Sequence, residues 1–174
     1  MPLVYGWLPG SDKREDNFIA GLSMGGRGTI KFAVNYPQLF AAAAVLSAVP
    51  VPFDELRPGH PCLIMDTANP RMVQTIENAG GFEAYVNSEE NVWALIDELA
   101  PTGDLPRLMF ACGHEDAILY DRYKIFREHC KESGLDVKWF DLPGYKHEWR
   151  FWDLAIQEAL VFFGLEDTDC GNPF

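Results

Sequence analysis

Residues 18–28 of this 174-residue chain read FIAGLSMGGRG and contain the pattern G-x-S-x-G around Ser23. The apolar run Phe18–Leu22 is typical of a short strand that is covered on both faces, as in a parallel sheet. A helix is predicted from the glycine-rich turn to about Tyr36, because the following proline pushes the residue before it out of the helical region. A serine on a sharp turn between a strand and a helix is the setting of a nucleophile elbow.

The residues around Ser23 are expected to have two roles, steric and electrostatic. We expect the glycines two residues on either side of Ser23 to remove side chains that would collide with the adjacent strand and helix, and Gly26 and Gly28 to extend this close approach. The helix N-terminus points toward the serine, so the backbone N–H of Met24 is the expected first donor to an oxyanion. The alternative is an ordinary glycine-rich turn that carries an incidental serine.

A serine hydroxyl is a poor nucleophile at neutral pH and needs a base, which in turn needs an orienting acid. Proteins with this elbow place the three groups in the chain order Ser, acid, His, on loops at the carboxyl ends of strands. His147 follows the predicted strand Val137–Leu142 and directly precedes the last predicted helix, which is the position of the base. The other histidines are His60 before a proline, His114 after the third strand and His129 on a helix.

The acid is expected in the loop after the third strand, where residues 112–117 read CGHEDA. Asp116 and Glu115 compete for the role, and Asp121 is a weaker third candidate. Asp116 lies further out along the loop and has room to reach His147, whereas Glu115 is adequately explained as a solvated charge.

The other periodic segments complete the fold class. Strands are predicted over residues 41–47, 108–112 and 137–142, and amphipathic helices before Pro101, before Gly134 and before Gly164. Strands that alternate with helices predict an α/β protein with a mostly parallel sheet flanked by helices. We interpret residues 1–174 as one domain, because 174 residues with 48% apolar content suit one core.

Residues 49–104 are interrupted by prolines, and we interpret them as a cap-like insertion near the site. The run Cys62–Met65 is too short to distinguish a strand from a buried helix. Aromatic side chains of the insertion are expected to form an apolar wall for the substrate. The candidate substrate contacts are therefore Tyr85 and Trp93 in the insertion, with Leu22 and Trp149 beside the elbow and the base.

Composition excludes several classes of function. Fourteen Lys and Arg against 26 Asp and Glu give a formal charge of −12, which would repel nucleic acid. No apolar run is long enough for a membrane span, and no signal peptide is evident. Four cysteines without a C-x-x-C pair predict a reduced, soluble, cytoplasmic protein. No metal-binding or phosphate-binding motif accompanies the elbow, so no cofactor is expected.

The elbow FIAGLSMGGRG, the acid loop CGHED and the segment PGYKHEW followed by FWD together resemble the esterase D-like α/β-hydrolases. This group contains tributyrin esterases, S-formylglutathione hydrolases, feruloyl and acetyl-xylan esterases and mycolyltransferases, and the His147 segment is most similar to the tributyrin esterases. The resemblance runs from about Asp12 to Gly164. It implies hydrolysis of small carboxylic esters through an acyl-enzyme, without a cofactor.

The resemblance also implies that the chain corresponds to the C-terminal half of the fold. Only seventeen residues precede Phe18, and they contain no glycine-rich loop that would donate a second oxyanion N–H. We expect the edge of the first strand to be open, so that the chain self-associates or pairs with a missing N-terminal half. Two alternatives to an active esterase follow: a catalytically weak or inactive hydrolase that serves as a subunit or binding module, and an acyltransferase.

Overall fold

The structure is a computed structural model that describes residues 10–52 and 70–165, with residues 70–72 as backbone only. Its centre is a four-stranded parallel sheet in which neighbouring strands follow one another in chain order. The predicted parallel α/β architecture is therefore confirmed. The strands are β1 (Phe18–Leu22), β2 (Ala42–Leu46), β3 (Arg107–Gly113) and β4 (Val137–Leu142).

Helices connect the strands and cover both faces of the sheet. Each crossover joins the carboxyl end of one parallel strand to the amino end of the next, which requires a connection long enough to hold a helix. In the described ranges the α-helices are α1 (Met24–Asn35), α2 (Pro70–Asn78), α3 (Phe82–Val86), α4 (Val92–Leu99), α5 (Tyr120–Glu132) and α6 (Trp149–Phe163). None of these helices is long and apolar enough to cross a bilayer.

Strand β2 separates two layers of core. Its side chains alternate between the two faces because successive residues of a strand point in opposite directions. Ala43 and Val45 pack with α1, α4 and α5 on one face, and Ala42, Ala44 and Leu46 pack with α6 on the other. Every residue of β2 is buried, which explains why its sequence is an uninterrupted apolar run.

The segment at 49–104 differs from the expected insertion. Helix α4 contributes Val92 and Ile96 to the same core cluster as α1 and α5, so it packs with those helices on one face of the sheet, in the connection between β2 and β3. Helices α2 and α3 were not predicted, and they form a small cluster of their own with Val51. A cap-like role remains a proposal for α2 and α3, and Cys62–Met65 lies outside the described residues.

Two glycines allow α1 to approach the strands closely. A Cβ atom at Gly21 would lie 2.5 Å from the carbonyl oxygen of Gly25, and one at Gly26 would lie 2.9 Å from the Cβ atom of Ala48. Beyond the chain neighbours and the helix's own backbone, Gly25 and Gly28 have no described atom within 4 Å of such a Cβ. The expected steric role therefore belongs to Gly21 and Gly26, and the expectation for Gly25 and Gly28 is wrong.

The outer edge of β1 is open in the described part of the chain. There β1 is hydrogen-bonded to β2 alone, and Ala20 at its centre is exposed. Beside this edge lies a mostly apolar cleft of about 490 Å3, lined by residues of β1, Leu46 and α6. An open edge with an apolar flank is a template for pairing with another chain.

We predict that Gly21→Ala destabilises the fold, whereas Gly28→Ala does not. The added methyl group at position 21 meets backbone atoms that cannot move independently, and such overpacking costs about 1–3 kcal/mol. At position 28 the methyl group enters open space in a helix, where alanine is favoured over glycine. Urea unfolding of both variants checks this prediction, and equal midpoints for the two would contradict it.

We also predict that the chain self-associates through the edge of β1. Light scattering at micromolar concentration should give a mass above the 19.6 kDa of one chain. Ala20→Lys should lower that mass, because a lysine on an open edge disfavours strand pairing. The matched control is Ile125→Lys, which adds the same charge to an exposed position of α5. A monodisperse monomer before any substitution would show that the edge does not associate.

Candidate active site

Ser23 stands on a strained turn between β1 and α1. Its backbone has φ 53° and ψ −119°, a conformation that is unfavourable for a residue with a Cβ atom and that persists only where neighbours enforce it. The Ser23 N–H donates to the Leu46 carbonyl at 2.8 Å, and the Ser23 carbonyl accepts from the Arg27 N–H at 3.1 Å. The turn is thereby fixed on one side by β2 and on the other by the first turn of α1.

The imidazole of His147 reaches Ser23 from the loop after β4. Its Nε2 atom lies 2.9 Å from the Ser23 Oγ atom, within hydrogen-bond distance. The ring packs edge-to-face on Trp152 of α6, with ring centroids 5.0 Å apart and planes at 89°. His147 is half-buried, and its contact with Trp152 restricts the orientation of the ring.

Asp116 completes a hydrogen-bonded chain of three side chains. Its Oδ2 atom lies 2.7 Å from His147 Nδ1, and its Oδ1 atom accepts the backbone N–H groups of Ile118 and Leu119 at 3.2 and 3.1 Å. Only 1% of the residue is exposed. A buried carboxylate needs such partners to offset its lost hydration. An ionised Asp116 accepts from Nδ1–H, which leaves Nε2 of a neutral His147 free to accept the Ser23 hydroxyl proton.

The other acids of the loop take no part in this chain. Glu115 is exposed, and the side chain of Asp121 is 91% exposed and pairs with Lys124. The structure thus brings Asp116, and neither of its competitors, to His147. His114 bonds instead to Asp141 at 2.7 Å.

The acid loop and the base loop touch through their backbones. The N–H of His114 donates to the Leu142 carbonyl, and the N–H of Glu115 donates to the Tyr145 carbonyl, both at 2.9 Å. A Cβ atom at Gly113 would lie 2.3 Å from the Tyr145 carbonyl oxygen. Glycine at position 113 therefore permits this backbone contact with Tyr145, and the contact fixes the distance between Asp116 and His147.

The expected substrate contacts separate into two groups. Leu22 and Trp149 line the cleft beside β1, together with Trp152 and Ile156, and Trp149 is 74% exposed. Tyr85 and Trp93 do not line this cleft. Met24 is the first residue of α1, so its backbone N–H has no acceptor one turn earlier in the helix.

Tyr85 and Trp93 have structural roles instead. Tyr85 is fully buried, and its hydroxyl accepts from the Arg27 guanidinium at 3.1 Å. Burial raises the pKa of Tyr85, which keeps it a neutral phenol. Trp93 packs edge-to-face on Phe126 and against His129. Tyr85 is buried, and Trp93 is half-buried and lines a different cleft, beside α5. The two rings therefore do not form one wall beside Ser23 in the described residues.

The described cysteines offer no competing nucleophile. Burial raises the pKa of Cys130 to about 12, and it raises the pKa of Cys112 as well, with the charges of Asp116 and Asp141 adding to the effect. Both therefore stay thiols at neutral pH, and a thiol is much less reactive than a thiolate. Within residues 10–52 and 70–165, no three His, Cys, Asp or Glu side chains gather as metal ligands would.

Two polar groups near the site were missed by the sequence analysis. Ser47, directly after β2, is buried and accepts a hydrogen bond from the indole N–H of Trp152 at 2.9 Å. Asp141, an acid that the sequence analysis does not single out, is largely buried and binds Arg127 as well as His114. A single serine at the end of an all-apolar strand was the available signal for Ser47.

The chain is similar in sequence to known esterases. The family model Esterase, described as "Putative esterase", matches residues 1–163. An acetyl esterase of Caldicellulosiruptor saccharolyticus is 29% identical over 164 residues, which cover 87% of this chain and 56% of that protein.

Two solved structures from Staphylococcus aureus share the fold. S-formylglutathione hydrolase, as the apoenzyme, aligns with a TM-score of 0.66 at 29% identity and covers 93% of this chain and 56% of its own. Fluorophosphonate-binding serine hydrolase F, with substrate bound, aligns with a TM-score of 0.71 at 29% identity. The alignment covers 93% of this chain and 59% of that protein. The chain spans little more than half the length of these relatives. It belongs to the esterase family and has an α/β-hydrolase fold.

Proposed function

We propose that this chain carries the nucleophile, base and acid of a serine carboxylic-ester hydrolase that acts on small acyl esters. The observation that carries the proposal is the hydrogen-bonded chain from Ser23 through His147 to Asp116, with the serine on a strained elbow. The similarity to an acetyl esterase favours a short acyl group as the substrate.

In the first half of the reaction, the Ser23 Oγ atom attacks the ester carbonyl carbon and gives its proton to His147 Nε2. The carbonyl oxygen becomes an oxyanion that accepts the Met24 N–H at the start of α1. The tetrahedral intermediate then expels the alcohol, which receives the proton from His147, and Ser23 is left acylated. Asp116 holds the ring orientation and stabilises the imidazolium while it exists.

In the second half, His147 takes a proton from water, and the resulting hydroxide attacks the acyl carbon. The carboxylic acid leaves, and the proton on His147 returns to Ser23 Oγ. No step draws on a group outside the side chains, the backbone and water.

The second candidate is a weak or inactive hydrolase module. It is favoured because the chain spans little more than half the length of its relatives. An oxyanion hole uses two donors, and the loss of one costs about 10²–10³ in rate. We propose that the second donor belongs to the part of the family fold that this chain does not span. The module then has an activated serine but slow turnover until that part is supplied.

We predict that a fluorophosphonate labels Ser23 and that Ser23→Ala abolishes both labelling and hydrolysis of p-nitrophenyl acetate. His147→Ala should reduce both nearly as far, because the members of a triad act as a unit. Ser133→Ala is the matched control, since that hydroxyl bonds to the Cys130 carbonyl at the end of α5. Mass spectrometry of the labelled peptide locates the adduct.

The two candidates differ in the ratio of labelling to turnover. Labelling of Ser23 with turnover of about ten per second supports the full esterase. Labelling with turnover lower by two or three powers of ten supports the weak module. Equal labelling of the unaltered chain and Ser23→Ala would exclude both.

The cleft beside β1 generates a prediction about acyl specificity. We propose that it holds the acyl chain, because its lining is mostly apolar and includes Trp149 and Leu22. Trp149→Ala should change the preference among acetyl to octanoyl p-nitrophenyl esters. Trp93→Ala should lower the melting temperature and leave that preference unchanged, because Trp93 packs on Phe126. A changed profile in the Trp93 variant alone would overturn the assignment.

A further inference from the structure

Ser47 has an unusual environment for a residue outside the proposed triad. Its φ is 46°, in the left-handed region that residues with a Cβ atom rarely occupy. It is 1% exposed, and it follows five buried apolar residues of β2. A buried polar residue in an unfavourable backbone conformation persists only where its surroundings enforce it.

The peptide group between Leu46 and Ser47 links the turn at Ser23 to strand β3, which leads into the acid loop. Its carbonyl accepts the N–H of Ser23 at 2.8 Å, and its N–H donates to the Ala111 carbonyl of β3 at 2.7 Å. One rigid plane therefore sets the distance between the elbow and the strand that leads into the acid loop.

The side chain of Ser47 reaches the third loop indirectly. Its Oγ atom accepts the Trp152 indole N–H at 2.9 Å, and a buried indole needs such an acceptor. Trp152 in turn packs edge-to-face on the His147 ring at 5.0 Å between centroids. The hydroxyl thus fixes the orientation of the Trp152 indole, against which the imidazole packs.

We propose that Ser47 is a positioning residue that holds His147 in line with Ser23 through Trp152. The proposal rests on the proposed function of Ser23 and His147. The side chain of Ser47 forms no hydrogen bond with His147 or Ser23, and its described hydrogen bond is the one to Trp152. Its effect is to keep the indole from rotating, because rotation would release the His147 ring from its packing surface.

The test compares Ser47→Ala, Trp152→Phe and the double variant with Ser133→Ala as the control. Phenylalanine at position 152 keeps an aromatic ring but has no N–H donor. Each single variant should lower the rate of fluorophosphonate labelling and the kcat for p-nitrophenyl acetate about tenfold, as small misplacements of catalytic groups do. In Ser47→Ala, KM should stay within about twofold, because Ser47 does not line the cleft proposed to hold the acyl chain.

The double variant separates positioning from general destabilisation. If both changes break the same hydrogen bond, between Trp152 and Ser47, the double variant should lose no more activity than Trp152→Phe alone. Losses that multiply, or rates equal to those of the control, would overturn the proposal. If Ser47→Ala does not fold, Trp152→Phe against the control decides by the same tenfold criterion.

An NMR readout keeps this test independent of the proposed function. In Ser47→Ala the ring resonances of His147 should shift, although the removed hydroxyl bonds to Trp152 and not to the imidazole. An unlabelled, inactive chain in which these resonances shift refutes the proposed function but supports the positioning role. His147 resonances that are identical in Ser47→Ala and the unaltered chain would refute the positioning role, whatever the activity.

Discussion

The parallel pairing of β2 with both β1 and β3 is the interaction on which the site depends. The register aligns Leu22, Leu46 and Ala111 across the three strands. Each strand therefore ends at the same edge of the sheet, and the residues that follow are delivered there together. Because β2 is fully buried between two helical layers, its register cannot slip without moving its side chains to the wrong face.

The precision of the site comes from groups that have little freedom to move. Asp116 is buried and held by three hydrogen bonds, so its position is set by the turn that precedes α5. The elbow is clamped by the Leu46 carbonyl. His147 has fewer constraints of its own, and it takes its orientation from Asp116 on one side and the Trp152 ring on the other. The proposed base is thus held by neighbours that are themselves fixed.

The segment between β2 and β3 shows the limit of local patterns. Aromatic and aliphatic side chains suit a substrate pocket and a core equally well, so the sequence gives no basis for choosing between them at Tyr85 or Trp93. Long-range contacts make the choice. Arg27 binds the Tyr85 hydroxyl, and Lys31 forms ion pairs with Glu89 and Glu90, which fasten this segment to α1 and bury the tyrosine.

The sequence by itself determined the alternation of strands and helices, the elbow at Ser23 and the place of His147 in chain order. These features depend on neighbouring residues: apolar runs, glycine and proline positions, and a motif of five residues. The tertiary structure decided that Asp116, and not Glu115, bonds to His147. It also decided that Gly21 and Gly26 allow α1 to approach the strands, and that Ser47 bonds to the indole that packs on His147. Each of these depends on contacts between residues far apart in the chain, and such contacts exist only after the sheet has brought the strand ends together.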